Sequence, residues 1–195
     1  MSVNFKKIAG EGLQPKEFNF TKDNLKIVNQ IMKKYPKNYP ESSIMPLLDL
    51  AQKQNSGWIP KKAIEFISDL LQISEIKVLE IATFYSMYNL CPVGKHHVEV
   101  CTTTPCMLRG SEKILEKCKS YLNLNVGSVT DDCKFSLIEV ECLGACVNAP
   151  VVKIGDNYYE DLDDNSIEKI LNNLRNEKKN IHGSQIFRKG SEPVK

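Results

Sequence analysis

The sequence contains no long hydrophobic run. No stretch approaches the roughly 20 apolar residues that a membrane-spanning helix needs, and the first residues include no apolar run of signal-peptide length. The beginning also lacks the Arg- and Ser-rich amphipathic pattern of an organellar transit peptide. These absences predict a protein of the bacterial cytoplasm, or an already processed form.

A strong excess of one charge is missing as well. Lys and Arg number 26 against 24 Asp and Glu, so the formal net charge is +2. Nucleic acids and anionic membranes usually require a strong basic excess, which disfavours both as main partners. The ten glycines form no dinucleotide or phosphate loop, so any nucleotide that the protein serves is expected on a partner protein.

The first part of the chain shows the periodicity of α-helices. Apolar residues recur at three- and four-residue steps across residues 21–92. Four helices are predicted, beginning at Thr21, about Ser43, Pro60 and Ser74, and the last reaches about Tyr88. We therefore predict a helical bundle domain over residues 21–92, preceded by an N-terminal extension over residues 1–20.

Pro92 and Gly94 mark a boundary, after which the apolar period changes from about 3.6 to 2. A strand at His97–Thr102, a helix at 107–122 and a strand at Phe135–Cys142 form a predicted β-α-β unit.

A hairpin follows, with strands at 151–154 and 158–159, and then a helix capped by Asn165. The predicted class is α+β, with a second domain over residues 93–175 and a loose, solvated basic tail over residues 176–195.

Four of the seven cysteines form two close pairs. Cys101 and Cys106 are separated by four residues, and Cys142 and Cys146 by three. Each pair follows a predicted strand, and parallel strands joined by a right-handed crossover end at the same edge of a sheet. We therefore expect the four thiols to converge at one site. Thr102, Thr103 and Thr104 are candidate hydrogen-bond donors to the sulfurs.

Spacing alone leaves three kinds of site open. A four-cysteine iron-sulfur cluster and a structural zinc ion both accept such pairs. A redox-active thiol pair usually has a two-residue spacer, and it would leave Cys142 and Cys146 unexplained. His96 and His97 lack the arrangement of a Rieske site and are predicted to be surface residues.

The other cysteines receive structural or unassigned roles. Cys118 lies on the apolar face of its helix and is predicted to be core, while Cys91 and Cys133 are thiols in loops without an assigned role. The third and fourth helices also suggest a DNA-reading pair, as in an iron-sulfur transcription regulator. However, the apolar fourth helix is better suited to burial, and its aromatic group is predicted to be core, with a subunit interface as the alternative. This group comprises Phe84, Tyr85 and Tyr88.

Longer segments carry a family resemblance. The stretches PVGKHHVEVCTTTPCMLRGSEKIL and VECLGACVNAPVV contain both cysteine pairs, and GWIP, AIEFISDLL and VLEIATFYSMYNL precede them. Over about residues 16–175 the chain resembles the family of 24 kDa subunits of respiratory complex I, which is called NADH-quinone oxidoreductase in bacteria. The members of this family are thioredoxin-like 2Fe-2S ferredoxins.

The resemblance implies a helical domain followed by a thioredoxin-like 2Fe-2S ferredoxin domain. It implies one 2Fe-2S cluster bound by Cys101, Cys106, Cys142 and Cys146, and no catalytic residue in this chain. A partner flavoprotein subunit would bind FMN and NADH, and the cluster would exchange single electrons beside the main electron route.

The assembly implied by the resemblance is the peripheral arm of a translocase at the inner face of the bacterial membrane. The protein would contact the membrane only indirectly and would bind no nucleic acid. Related modules serve NAD-linked hydrogenases and formate dehydrogenases, which remain alternatives because they share the cluster motif. The basic tail suggests docking onto the flavin subunit.

Overall fold

The computed structural model describes residues 7–188, and within this range the chain divides between Val93 and Gly94 into two compact units. The α-helices of the described chain are α1 (Lys22–Lys33), α2 (Ile44–Gln54), α3 (Lys61–Leu71), α4 (Glu75–Phe84), α5 (Thr104–Leu108), α6 (Ser111–Leu122) and α7 (Asp164–Arg175). The strands are β1 (His96–Cys101), β2 (Ser128–Val129), β3 (Phe135–Val140), β4 (Val152–Ile154), β5 (Asn157–Glu160) and β6 (Gly183–Ser184). Short 3-10 turns occupy Glu11–Leu13, Pro40–Ser43 and Cys146–Asn148. These elements confirm the α+β class.

The N-terminal unit is built from α1 to α4, whose apolar faces meet in one core. The Thr21 side chain caps α1 by accepting a hydrogen bond from the Asn24 amide, as its position before the apolar period predicts. The buried core includes Val28, Ile31, Ile44, Leu47, Leu48, Ala51, Ile64, Ile67, Leu71 and Val78. Burial of these side chains is the main stabilising contribution to the unit.

Helix α4 ends at Phe84, four residues before the predicted end at Tyr88. Tyr85 has an extended backbone, and Tyr88 is fully buried with its hydroxyl donating to the Met45 carbonyl at 2.9 Å. Phe84 is 81% exposed and Tyr85 39% exposed, so the prediction of a buried aromatic group is wrong for these two residues. Apolar residues occur on every side of α4, and only the face of Val78 and Ala82 is buried.

The C-terminal unit contains a mixed sheet with the strand order β2-β3-β1-β4-β5-β6. β1 and β3 are parallel, and α5 and α6 form the crossover between them. β4 is antiparallel to β1 and forms the predicted hairpin with β5. Helices α6 and α7 contact each other, and their apolar residues join those of the sheet in a second core.

Three predicted elements of this unit differ from their expected bounds by more than one residue. The expected helix at 107–122 is interrupted because Gly110 has a φ of +92°, in the left-handed region that favours glycine. β3 ends at Val140, two residues before Cys142. Helix α7 begins at Asp164, and its cap is Asp163, which forms a reciprocal capping box with Ser166, instead of the predicted Asn165.

The segment after α7 also differs from the prediction of a loose tail. Residues 176–188 fold back, and β6 pairs in parallel with β5. The rest of the predicted basic tail, which includes Lys189, Glu192 and Lys195, lies outside the described residues. Within residues 7–188, no helix is long and apolar enough to cross a bilayer.

Candidate metal centre

The ends of two parallel strands bring the four paired cysteines to one edge of the sheet. Cys101 is the last residue of β1 and is level with Val140, the last residue of β3. Cys106 lies in α5, directly after β1, and Cys142 follows β3 by two residues. Cys146 begins the 3-10 turn that follows. This is the juxtaposition expected from a right-handed crossover between parallel strands.

The four sulfurs form two interacting pairs. The Sγ atoms of Cys142 and Cys146 are 3.3 Å apart. The Cys106 thiol donates a hydrogen bond to the Cys101 sulfur. The charge of Cys101 also acts on Cys142 and Cys146, and that of Cys146 on Cys106, so the pairs are neighbours. The structure thus gathers all four predicted site residues.

Thr103 connects the two pairs. Its hydroxyl oxygen lies 3.3 Å from the Cys101 sulfur and also lowers the pKa of Cys142, so its single proton can be donated to either sulfur. The neighbouring Thr102 hydroxyl is directed elsewhere, because it donates to the Glu139 carboxylate at 2.5 Å. Of the three adjacent threonines, Thr103 therefore provides the hydroxyl at the sulfurs.

Two of the sulfurs lie in surroundings that favour the thiolate. Burial raises the pKa of Cys101, but hydrogen bonds from the Thr103 hydroxyl and the Leu143 amide outweigh it, so the pKa is below its ordinary value. The pKa of Cys142 is lowered chiefly by the Gly144 amide, whose nitrogen is 3.4 Å from the sulfur. Both sulfurs therefore favour the thiolate, which is the form of cysteine that binds a metal.

The other two sulfurs lie in surroundings that favour the protonated thiol. Burial, and then the hydrogen bond to Cys101, raises the pKa of Cys106 to about 12. The hydrogen bond to Cys142 is the main cause of the raised pKa of Cys146. A metal centre that binds all four sulfurs must displace both protons, so its binding releases protons to the solvent.

The donor set fits a two-iron cluster. Four thiolates are soft ligands, which suit zinc or an iron-sulfur cluster. Among residues 7–188, no three Cys, His, Asp or Glu side chains converge on the position of a single ion. Two separate sulfur pairs are instead the arrangement in which each iron of a 2Fe-2S cluster receives two protein ligands.

The two pairs differ in exposure. Cys101 and Cys106 are each 1% exposed and form an apolar cluster with Ala149 and Val151. Cys142 and Cys146 are exposed. One side of the site is thus enclosed by protein, and the other side faces outward.

The remaining candidates lie away from this site or serve the core. Cys118 is fully buried on α6, as predicted, and burial raises its pKa to about 12. Cys91 is buried in the N-terminal unit, and Cys133 is exposed in the loop before β3. His96 and His97 begin β1, at the opposite end from Cys101. Because His97 is half-buried beside Ser136, its prediction as a surface residue is wrong.

Sequence reasoning missed one contact of the cysteine loops. The Arg188 guanidinium donates a hydrogen bond to the Val147 carbonyl, immediately after Cys146. Arg188 is remote in the sequence and lies in a segment predicted to be solvated, so no local pattern identifies this contact.

Comparisons with known sequences agree with the geometry of the site. A family model described as "Thioredoxin-like [2Fe-2S] ferredoxin" matches residues 28–175. A subunit of the NADH-quinone oxidoreductase of Rickettsia bellii (strain RML369-C) is 56% identical over 160 residues, which are 82% of this chain and 96% of that protein. The mitochondrial NADH dehydrogenase [ubiquinone] flavoprotein 2 of Dictyostelium discoideum is 49% identical over 175 residues, which are 90% of this chain and 71% of that protein.

A solved structure supports the fold alone. An NAD+-reducing [NiFe]-hydrogenase in the H2-reduced state matches with a TM-score of 0.59 and 16% sequence identity. The match covers 69% of this chain and 23% of the hydrogenase chain. The family match names one cofactor, a single 2Fe-2S cluster, and the two sulfur pairs fit it. The chain belongs to the thioredoxin-like [2Fe-2S] ferredoxin family.

Proposed function

We propose that this protein is the electron-transfer subunit of an NADH-quinone oxidoreductase. In this proposal the ligands of its 2Fe-2S cluster are Cys101, Cys106, Cys142 and Cys146. The observation that carries the assignment is the convergence of two sulfur pairs at the ends of β1 and β3. Residues 21–92 and 93–175 are its proposed helical and ferredoxin domains.

The names of the relatives support this assembly over the alternatives. Two Rickettsia proteins, 56% and 52% identical to the chain, are both named as the same subunit of NADH-quinone oxidoreductase. The similarity to the hydrogenase is confined to the fold, at 16% identity. A subunit of a hydrogenase or formate dehydrogenase is therefore the weaker interpretation of the same cysteine motif.

The residues of the chain hold and tune the cofactor. A bound 2Fe-2S cluster accepts and releases one electron at a time. The cysteine thiolates bind it, and Thr103, Leu143 and Gly144 donate hydrogen bonds to the ligand sulfurs. Such bonds stabilise negative charge on sulfur and therefore favour the reduced state.

The exposed side of the site is the proposed side of electron exchange. Cys142 and Cys146 face outward, and three apolar side chains nearby in sequence are also exposed, as expected of a surface that a partner covers. These are Met107, Leu108 and Val147. The partner is a flavoprotein subunit that binds FMN and NADH, within the peripheral arm at the inner face of the bacterial membrane. The cluster exchanges electrons beside the main route, and contact with the membrane occurs only through the assembly.

Metal analysis of the anaerobically purified full chain tests the identity of the cofactor. We expect iron and acid-labile sulfide in equal amounts, and a 2Fe-2S EPR signal after reduction by dithionite. Zinc without iron would contradict the proposal.

Affinity purification from cells tests the assembly, and a flavoprotein with NADH oxidation activity is expected to accompany the chain. Retention of a hydrogenase or specific DNA instead of that flavoprotein would reject it.

A further inference from the structure

The segment after α7 returns to the loop that carries Cys146. β6 aligns Gly183 with Tyr159 and Ser184 with Glu160 of β5. The Gln185 amide extends this pairing by donating to the Glu160 carbonyl at 2.9 Å. The pairing directs the chain toward the turn Cys146–Asn148, where it ends in a buried ion pair.

Arg188 and Asp161 form that ion pair. The Arg188 side chain is 8% exposed and that of Asp161 is 3% exposed. The Nη2 and Nε atoms of the guanidinium lie 2.6 Å and 3.2 Å from the two carboxylate oxygens. The Ser184 hydroxyl donates to the same carboxylate at 2.7 Å. Burial of such a pair is costly unless its hydrogen bonds are satisfied, and here both groups have several partners.

The pair holds two consecutive carbonyls of the turn that begins with Cys146. Arg188 Nη2 donates to the Val147 carbonyl at 2.6 Å. The backbone amide of Asp161 donates to the Asn148 carbonyl at 2.7 Å. Asp161 has a φ of +53°, in the left-handed region, which most side chains avoid. Its backbone and its carboxylate therefore act together on the turn Cys146–Asn148.

We propose that Arg188 and Asp161 are positioning residues for Cys146, which they act on through the Val147 and Asn148 carbonyls. This inference rests on the proposed function, because it requires Cys146 to be a ligand. Cys146 is exposed and lies in a turn without a long helix or strand to fix it, so contacts from outside the turn must set its position. Loss of the ion pair leaves the Cys146 sulfur less well oriented toward the cluster.

The test uses the full chain with its cluster, purified anaerobically, and three variants. Arg188→Ala removes the guanidinium, and Arg188→Lys keeps the charge without the planar fork that reaches two acceptors. Asp161→Asn removes the carboxylate charge at a backbone conformation that Asn tolerates well. Lys179→Ala is the matched control, because it removes one positive charge from an exposed position in the same segment.

Cluster loss to an iron chelator, the EPR spectrum and the midpoint potential are measured on each protein at full cluster occupancy. We expect Arg188→Ala and Asp161→Asn to lose the cluster about 10-fold faster, the lower end for residues that orient metal ligands. Their EPR spectrum and potential change as well. Arg188→Lys is expected to lose the cluster at a rate between those of Arg188→Ala and the unaltered chain. Lys179→Ala is expected to lose it at the rate of the unaltered chain.

The potential and the EPR spectrum separate positioning from a purely structural role. Variants that unfold more easily but keep the unaltered spectrum, potential and rate of cluster loss would overturn the inference alone. If Arg188→Ala does not fold, the same readouts on Asp161→Asn and Arg188→Lys decide. An unaltered chain that binds no 2Fe-2S cluster would reject the proposed function first.

Discussion

The hydroxyl of Thr103 lies 3.3 Å from the sulfur of Cys101 and also lowers the pKa of Cys142, so its single proton can be donated to either sulfur. One small side chain therefore acts on one cysteine of each pair. Because hydrogen bonds to the sulfurs favour added negative charge, Thr103 is placed to raise the reduction potential of the site.

Thr103→Val is expected to lower the midpoint potential. A net hydrogen-bond contribution of about 1 kcal/mol corresponds to roughly 40 mV for a one-electron couple. The measurement is a redox titration followed by EPR. Thr102→Val is the matched control, since that hydroxyl donates to Glu139 instead of sulfur. An equal shift in both variants would show that the Thr103 hydroxyl has no specific effect on the potential.

Replacement of a ligand cysteine is expected to remove or damage the cluster. Cys142→Ala leaves one iron with a single protein sulfur, so iron and sulfide content and the visible absorption should fall. Cys118→Ala is the control, because this thiol is fully buried on α6 and its loss costs about 1 kcal/mol of packing. An intact cluster in the Cys142→Ala protein is incompatible with the assigned ligands.

His97 is expected to make folding less favourable in acid. Burial, and then the charge of Lys153, lowers its pKa from 6.5 to about 4. The folded state therefore keeps the ring neutral while the unfolded state takes up a proton below pH 6.5. The free energy of unfolding has its full value above pH 6.5 and falls by roughly 2 to 3 kcal/mol as the pH drops toward 4.

His97→Gln removes this proton uptake, so its free energy of unfolding is expected to fall less between pH 7 and pH 5 than that of the unaltered chain. Urea unfolding followed by circular dichroism measures the difference at both values. His182→Gln replaces an exposed histidine and serves as the control. Parallel pH profiles for the unaltered chain and His97→Gln would contradict the expectation.

Tyr88→Phe tests the buried end of the segment after α4. The variant removes the hydroxyl that donates to the Met45 carbonyl at 2.9 Å. Because that carbonyl loses a partner, we expect a destabilisation of about 1 kcal/mol, measured as a lower thermal midpoint. Tyr39→Phe, at an exposed position, is expected to leave the midpoint unchanged. A similar midpoint for both variants would show that the buried hydrogen bond adds no stability.

Periodicity predicts elements that bury one face. The residues Ile44, Leu47, Leu48 and Ala51 of α2 are all fully buried, as their spacing predicts. The parallel pairing of β1 and β3, from which the convergence of the cysteines is expected, is also present. These features depend on local pattern and on the handedness of a crossover, which a single sequence contains.

Other features depend on contacts that a sequence pattern does not encode. α4 is apolar on every side, so its period cannot identify the buried face, and Phe84 is exposed although Tyr88 is buried. Arg188 meets Val147 only because β6 pairs with β5. A polar segment of this kind has no apolar period, and its pairing is set by tertiary structure.

The exposed pair of sulfurs has a consequence for handling the protein. Cys142 and Cys146 are 3.3 Å apart at the surface, whereas Cys101 and Cys106 are shielded. Once the metal is lost in air, dioxygen can take two electrons and two protons from the outer thiols and join them as a disulfide. When the cluster is rebuilt from iron and sulfide, a thiol reductant must therefore be added first, since a disulfide between the outer cysteines leaves one of the two irons without its protein ligands.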